Sequence, residues 1–132
     1  AFYILVFDKG AEEILSKFKM GEQSAKTTKK STMAVESHTT YNNEVKENEE
    51  VDVYLSYFNH DKKRLHYKLE MYEKSKNILS ATTEVLSLYI DLNIRKVAEF
   101  ENEKLMIMDQ FIEENKSKFK IDNLQFSNKL KK

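Results

Sequence analysis

Apolar side chains recur at every seventh position through much of the chain, from Val51 to Ile107. A seven-residue period held over this distance is typical of an α-helix whose apolar seam packs against a partner. The pattern predicts one long amphipathic helix over residues 51–115, which would measure about 100 Å at about 1.5 Å per residue. The seam and the residues that reinforce it form the predicted partner interface: Val51, Phe58, Leu65, Tyr72, Leu79, Leu86, Ile90, Asn93, Val97, Phe100, Ile107 and Phe111.

The stretch Val85–Lys96, VLSLYIDLNIRK, also fits a second period. Its leucines and isoleucines occupy alternate positions, as in a half-buried strand, which would make the protein a small α+β domain instead of a helical rod. Because the stretch lies inside the longer seven-residue pattern, we predict a helix here, buried on more than one side. Asn93 falls on the seam, where a polar residue either fixes the register or simply faces water.

Three further segments complete the predicted organisation. Residues 1–20 carry apolar residues at helical spacing and are predicted as an apolar N-terminal helix with a soft joint at Gly10, a strand followed by a helix being the alternative. Ala1–Phe7 would be a buried helix end, an edge strand or the end of a membrane anchor, since it is far shorter than the roughly 20 residues of a complete span. Residues 21–50 are polar and are predicted as a linker or a solvated helix. Residues 116–132 are predicted as a short C-terminal helix or a tail.

The composition favours long elements with few connections. The chain has 132 residues, no proline and two glycines, Gly10 and Gly21, whereas folds with many strands need turns rich in both. We therefore predict an all-α, elongated protein with coiled-coil-like packing against partner chains. The 22 basic and 22 acidic residues balance, which argues against nucleic acid as a partner. The absence of cysteine excludes disulfides and thiolate metal sites.

No constellation of residues indicates chemistry. His60 and His66 are six residues apart, which does not place two imidazoles on one helical face for a metal, and His38 lies in the polar segment. The basic run Lys62–Arg64 is typical of a solvated helix face, although contact with a phosphate or a lipid headgroup is an alternative. We therefore predict no catalytic residues, no metal and no cofactor, and catalysis is the least favoured function because no pocket can be located.

The layout resembles subunit b of the mitochondrial ATP synthase, the main helix of its peripheral stalk. The resemblance lies in the Gly-containing joint Asp8–Ile14 and in the portion Leu88–Phe119, where an apolar run is followed by Asn93, the basic pair Arg95–Lys96 and the acidic run Glu99–Glu103. It implies a non-catalytic stator helix at the matrix side of the mitochondrial inner membrane, bound to other subunits of the complex. The alternative is a coiled-coil adaptor or membrane-surface module that associates with itself through the seam.

Overall fold

The computed structural model describes residues 2–46 and 48–131, without the side chains of Phe2 and Ile4. Within these residues the structure has three α-helices, five β-strands and two short 3₁₀ turns. Their order is α1 Phe2–Lys17, α2 Glu22–Thr28, β1 Lys30–Tyr41, β2 Val51–His60, β3 Arg64–Glu73, β4 Ile78–Asp91, β5 Lys96–Val97 and α3 Asn102–Asn115, then the turns Lys116–Lys118 and Ser127–Lys129.

The strands form one antiparallel sheet in the order β1-β4-β3-β2, and the short β5 pairs with the end of β4. β2, β3 and β4 are joined by short connections, whereas β1 lies at the far edge beside β4. Register shifts interrupt the pairing at Val35 in β1 and at Ser56 in β2. Such bulges bend and twist a sheet locally, which helps it to curve around a helix.

The core lies between α1 and one face of the sheet, here called the inner face. Phe7 and Ile14 of α1, and Phe18 directly after it, are buried in the same cluster as Leu69 of β3 and Val85 of β4. Successive strand residues point to opposite faces, so the intervening residues of β3 and β4 form the outer face. The C-terminal segment covers part of that outer face, where Phe126 is buried.

α3 completes the core beside the end of α1. The ring of Phe18 lies 4.8 Å from that of Phe58 on β2 and 5.3 Å from that of Phe111 on α3, measured between centroids. Edge-on and tilted ring pairs at these separations stabilise a core beyond their buried area. The two helices therefore meet the sheet through one aromatic cluster.

Gly10 allows α1 to approach the sheet closely. A Cβ atom at this position would lie 2.9 Å from Cγ1 of Val53 and 3.7 Å from Cδ1 of Leu69. Contacts under 3.0 Å are not tolerated without a shift of the neighbour or of the helix. The glycine predicted as a soft joint therefore lies inside a continuous helix, where it sets the spacing between helix and sheet.

The prediction of an all-α, elongated protein is wrong. Most of the predicted helix over residues 51–115 consists of β2, β3 and β4, and only its end contains α3. These strands begin at residues 51, 64 and 78, so their starts are 13 and 14 residues apart, close to twice seven. A repeat of strand plus turn thus imitates a heptad pattern, and the alternation in Val85–Lys96 was the correct signal as far as Asp91.

Carboxylates and asparagines build the turns that the sequence lacks glycine and proline to make. Oδ1 of Asp61 accepts hydrogen bonds from the backbone N–H groups of Lys63 (2.8 Å) and Arg64 (2.7 Å), which closes the β2–β3 hairpin. Glu73 accepts the N–H of Lys76 at 2.7 Å in the next hairpin, where Asn77 has a φ of 53°. Side chains of this kind mimic backbone turns, so scarcity of Gly and Pro did not exclude a sheet.

The polar segment 21–50 is not a linker as a whole, because it contains α2 and the twelve-residue strand β1. Threonines pair across the sheet there: the Oγ1 atoms of Thr40 and Thr82 lie 2.6 Å apart, and those of Thr39 and Thr83 lie 3.0 Å apart. β-branched hydroxyl residues suit such cross-strand pairs. At the other end, residues 116–131 form an irregular segment with two short 3₁₀ turns.

Candidate active site

A cavity of about 310 Å³ lies between α1 and the inner face of the sheet, and it is here called the α1 cavity. Four elements line it, with an aromatic and hydroxyl-rich surface. The lining residues are Tyr3, Phe7, Asp8 and Ala11 of α1; Ala34, Ser37, Thr39 and Tyr41 of β1; Tyr67 and Leu69 of β3; and Thr83 and Val85 of β4.

Strand register brings the lining residues together. Ser37 lies opposite Val85, and Thr39 lies opposite Thr83, so alternate residues of β1 extend the surface that β4 presents to the helix. On α1, Tyr3, Phe7 and Ala11 are spaced four apart, which puts them along one side of the helix. The cavity thus depends on residues along one side of α1 and on alternate residues of the edge strand β1.

One end of the α1 cavity is formed by two tyrosines. The rings of Tyr3 and Tyr41 lie 5.2 Å apart and meet edge-on at 72°. The hydroxyl of Tyr3 donates to the carbonyl of Asn43 at 3.2 Å and accepts the N–H of Val45 at 3.1 Å. These bonds tie the start of α1 to the loop after β1, and they hold the Tyr3 ring in place.

Asp8 and Tyr67 are the titratable pair farther along the cavity. Tyr67 is buried, and this burial raises its pKa to about 12; its hydrogen bond with Ser87 acts in the opposite direction, and the negative charge of Asp8 adds to the rise. Tyr67 therefore keeps its proton at neutral pH and can donate it in a hydrogen bond. Asp8 is exposed and is the one carboxyl group among the lining residues that the structure describes, none of which is Lys, Arg or His.

This arrangement has the groups that acyl transfer to water requires. A carboxylate can take a proton from a water molecule, and O–H groups can stabilise the charge that develops on a carbonyl oxygen. Phe7, Leu69 and Val85 supply an apolar wall on which an acyl chain can pack. The site is a concave, largely apolar surface with a few polar groups, as is usual for small-molecule sites.

A larger cavity, about 650 Å³, lies on the outer face under the C-terminal segment. About half of its surface is polar, and two of its charged groups, Lys120 Nζ and Glu70 Oε1, pair with each other at 2.8 Å. That ion pair raises the pKa of Lys120, which keeps the amine protonated. The outer cavity has less apolar surface for an acyl chain, so the α1 cavity is the better candidate despite its smaller volume.

The buried histidines are held by carboxylates. Nε2 of His66 lies 2.6 Å from Oε2 of Glu84 on the outer face, and Nε2 of His60 lies 2.7 Å from Oδ1 of Asp109 on α3. Within residues 2–46 and 48–131, no group of three or more His, Asp or Glu side chains could hold a metal ion. Both histidines therefore have structural partners in the described part of the chain.

The predicted partner interface is scattered through the fold. Phe58, Leu65, Leu86 and Phe100 are buried, and only Asn93 and Val97 are exposed. The others are half-buried: Val51, Tyr72, Leu79, Ile90, Ile107 and Phe111. They form no common seam, since they lie on the four strands β2 to β5, in two loops and on α3. A partner contact at any of them stays a prediction.

The residues of the α1 cavity were missed at the sequence level. Tyr3, Asp8, Ser37, Thr39, Tyr41, Tyr67 and Thr83 lie in four separate elements. The alternation of Ser37, Thr39 and Tyr41 was the available signal for a strand with one polar-aromatic face. It was hidden by the low apolar content of the segment.

Comparisons with known proteins agree on one family. The model of the Thioesterase-like superfamily matches residues 1–112. The betainyl-CoA thioesterase of Pseudomonas aeruginosa is 28% identical over 117 residues, which cover 89% of this chain and 74% of that protein.

Solved structures share the fold. A hypothetical protein of Staphylococcus aureus, characterised in complex with CoA, superposes with a TM-score of 0.80 at 19% identity and covers 100% of this chain and 80% of its own. A 1,4-dihydroxy-2-naphthoyl-CoA thioesterase from Synechocystis superposes with a TM-score of 0.69 at 15% identity, covering 81% of this chain and 79% of its own. At these identities the likeness establishes the fold, an antiparallel sheet with flanking helices known as the hotdog fold.

These matches overturn the predictions that followed from the ATP synthase resemblance. The stator function, the coiled-coil alternative and the non-catalytic character are wrong, because the matching family and the curated relative are thioesterases. The mitochondrial inner-membrane location is wrong for the same reason, and among the described residues no helix is long and apolar enough to cross a bilayer. Membrane contact through Ala1–Phe7, binding to other subunits and the exclusion of nucleic acid stay predictions, with Ala1 outside the described residues.

The family model covers residues 1–112 of the 132 residues, and the chain therefore belongs to the Thioesterase-like superfamily.

Proposed function

We propose that this protein is an acyl-CoA thioesterase that binds the acyl group of its substrate in the α1 cavity. The α1 cavity is the observation that carries the proposal, because it combines an apolar wall, O–H donors and a carboxylate between the helix and the sheet. Membership of the Thioesterase-like superfamily and the 28% identity to a betainyl-CoA thioesterase support the same reaction. The likeness to a protein solved with CoA supports the same class of substrate.

The size of the cavity favours a small acyl group. A volume of about 310 Å³ is at the lower end of the range for small-molecule pockets. It can hold a short acyl chain but not the nucleotide and pantetheine parts of CoA, which would remain outside. We therefore propose that recognition inside the cavity is directed at the acyl group.

Hydrolysis would use Asp8 as the base. The Asp8 carboxylate takes a proton from a water molecule, and the water oxygen forms a bond to the thioester carbonyl carbon. The O–H of Tyr67 donates to the carbonyl oxygen as negative charge develops on it. The carbon–sulfur bond then breaks and the sulfur leaves with the electron pair. The sulfur takes up the proton that Asp8 removed from water, which restores the carboxylate, and the products are a carboxylic acid and free CoA.

The test is a thiol-release assay with the purified chain. Short acyl-CoA substrates, including betainyl-CoA, are mixed with the protein and a thiol reagent, and the initial rates give kcat and KM. Asp8→Asn should lower kcat about 100-fold, which is at the lower end of the effect of losing a general base. Tyr67→Phe should also lower kcat about 100-fold, because loss of one donor to the developing oxyanion has an effect of about this size.

Glu13→Gln is the matched control. Glu13 is an exposed carboxylate on α1 that does not line the cavity, so this variant should keep the activity of the unchanged protein. Thermal melts of all three variants show whether they remain folded. Absence of thiol release from every thioester, or full activity in folded Asp8→Asn, would refute the proposed site.

A further inference from the structure

The α1 cavity is rich in aromatic rings. Tyr3, Phe7, Tyr41 and Tyr67 supply four of the twelve described residues that line it, and Tyr3 and Tyr41 form an edge-on pair with centroids 5.2 Å apart. The faces of aromatic rings carry negative charge in their quadrupole, so they attract cations as well as apolar groups. An apolar acyl chain alone would be served equally well by Leu or Val.

Among the described residues, the charged side chains that line the α1 cavity and an adjoining depression are acidic. Asp8 lines the cavity, and Glu44 lies in the depression, which also contains Tyr3 and Tyr41. No Lys, Arg or His lines either space among the described residues, whereas the outer cavity contains Lys68, Lys120 and His38. Lys9 follows Asp8 on α1, but it does not line the cavity. The local field therefore favours a positively charged guest.

The aromatic pair and the proposed base lie at different positions along α1. Tyr3 and Asp8 are five residues apart, which corresponds to about 7.5 Å along a helix axis. A short acyl chain could therefore have its carbonyl near Asp8 and Tyr67 while its far end reaches the rings of Tyr3 and Tyr41. Asp8 then need not serve both as base and as the contact of the distal group.

We infer that the α1 cavity selects acyl groups ending in a permanent cation of the trimethylammonium type, held on the rings of Tyr3 and Tyr41 with Glu44 nearby. Such a cation has no N–H to donate, so it depends on aromatic faces and on diffuse negative charge. The inference rests on the proposed function only in identifying the cation as the end of an acyl group. The selection of the cation itself can be measured without any thioester.

Choline and 3,3-dimethylbutan-1-ol are suitable probes because they have the same shape and differ in the charge on one atom. Each is titrated into the isotopically labelled protein, and NMR shifts of the cavity residues give the dissociation constant. We expect choline to bind about tenfold more tightly than the neutral alcohol, as one favourable ring contact would provide. Equal affinities, or tighter binding of the alcohol, would overturn the inference.

Variants at Tyr41 test whether its ring causes the preference for choline over the neutral alcohol. Tyr41→Leu should abolish the preference for choline, whereas Tyr41→Phe should keep it because the ring remains. Tyr54→Leu is the matched control, since Tyr54 is an exposed tyrosine on β2 that pairs with Tyr72 and does not line the α1 cavity. Loss of the preference in the control, or its persistence in Tyr41→Leu, would contradict the assignment to this ring.

A pair of thioesters separates this inference from the proposed function. Acyl-CoA molecules ending in a trimethylammonium or a tert-butyl group are compared by kcat/KM, and we expect about tenfold preference for the cation. Equal hydrolysis of both, with equal binding of the two small probes, would support the thioesterase and overturn the inference. Selective choline binding without hydrolysis of either thioester would support the cation site and refute the proposed function.

Discussion

Glu84 of β4 holds His66 of β3 on the outer face of the sheet, with 2.6 Å between Oε2 and Nε2 and both side chains fully buried. The same carboxylate accepts the backbone N–H groups of Gln125 (2.8 Å) and Phe126 (2.9 Å). Burial would raise the pKa of Glu84, but these hydrogen bonds and the contact with His66 lower it overall. One carboxylate thus joins two strands and the C-terminal segment.

Removal of this carboxylate should destabilise the protein strongly. Glu84→Ala leaves His66 and two backbone N–H groups without their acceptor, and breaking a buried pair of this kind costs about 3–5 kcal/mol. Urea denaturation gives the free energy of unfolding. Glu36→Ala is the control, because its ion pair with Lys129 at 3.6 Å is exposed and should contribute less than about 1 kcal/mol. Similar losses of unfolding free energy in the two variants would show that the buried pair stabilises the protein no more than the exposed one.

The acid stability of the fold should depend on Glu101. Burial would raise its pKa, yet hydrogen bonds from its own backbone, Lys30 and Tyr89, together with the charge of Lys104, lower it to about 2. A carboxyl whose folded pKa is lowered stabilises the fold above its unfolded pKa, near 4.5, and the contribution is lost as the pH falls from about 4.5 towards 2. Glu101→Gln should therefore reduce the slope of stability against pH in that window.

The measurement is urea denaturation at a series of pH values from 7 to 2. Glu99→Gln is the matched control, because Glu99 is an exposed carboxylate two residues away. If the slope of unfolding free energy against pH is unchanged in Glu101→Gln, or changes equally in the control, Glu101 is not the source of the acid dependence.

Gly10→Ala should destabilise the fold even though alanine is the better helix former by about 1 kcal/mol. The added methyl group meets Cγ1 of Val53 at 2.9 Å, and overpacking of this kind typically costs about 1–3 kcal/mol. Val53→Ala removes the clashing atom, so the double variant should be more stable than the sum of the single effects predicts. Additive free energies of unfolding in this cycle would show that the contact does not set the spacing.

Strand β1 should mediate association of two copies of the chain. It is twelve residues long, pairs only with β4 in the described part of the chain, and exposes Met33 and Val35. A long edge strand with exposed apolar residues is a template for strand pairing, and a second β1 related by a twofold axis would continue the sheet.

Sedimentation velocity tests this association. The unchanged protein should form a dimer, and Val35→Lys should give monomers because it places a charge at the edge. Ile121→Lys, an equally drastic change at an exposed apolar residue of the C-terminal segment, should leave the dimer intact. A monomer at high concentration without any substitution would rule out the interface.

Local patterns in the sequence predicted the first helix but not the sheet. The stripe that includes Phe7, Ile14 and Phe18 has helical spacing; Phe7 and Ile14 face the core from α1, and Phe18 does so directly after the helix ends. In the sheet, a strand-and-turn repeat of 13 to 14 residues coincided with two heptads, and the turns were made by Asp61 and Glu73 instead of glycine and proline. The periodicity of apolar residues alone therefore favoured a helix where the structure has strands.

The candidate site was beyond local patterns for a different reason. Asp8 and Tyr67 are far apart in the sequence, and they face one cavity only because α1 crosses the strands of the sheet. Ser37 and Thr39 can be assigned to the face of the sheet that lines the cavity only when the pairing of β1 with β4 is known. Chemistry that is assembled from single residues of four elements leaves no motif in the sequence, and only the folded structure brings these residues together.

The carboxylate-built hairpins make the corners of this sheet sensitive to acid. Hydrogen bonds from Lys63, Arg64 and Lys131 lower the pKa of Asp61 against the effect of burial, and bonds from Ser75 and Lys76 lower that of Glu73. When these groups finally take up a proton, each loop loses its acceptor while the ladders between the strands keep theirs. As the pH falls, the hairpin loops should therefore unfold before the strands do. Amide protons of these loops should then exchange with solvent before those of the strands.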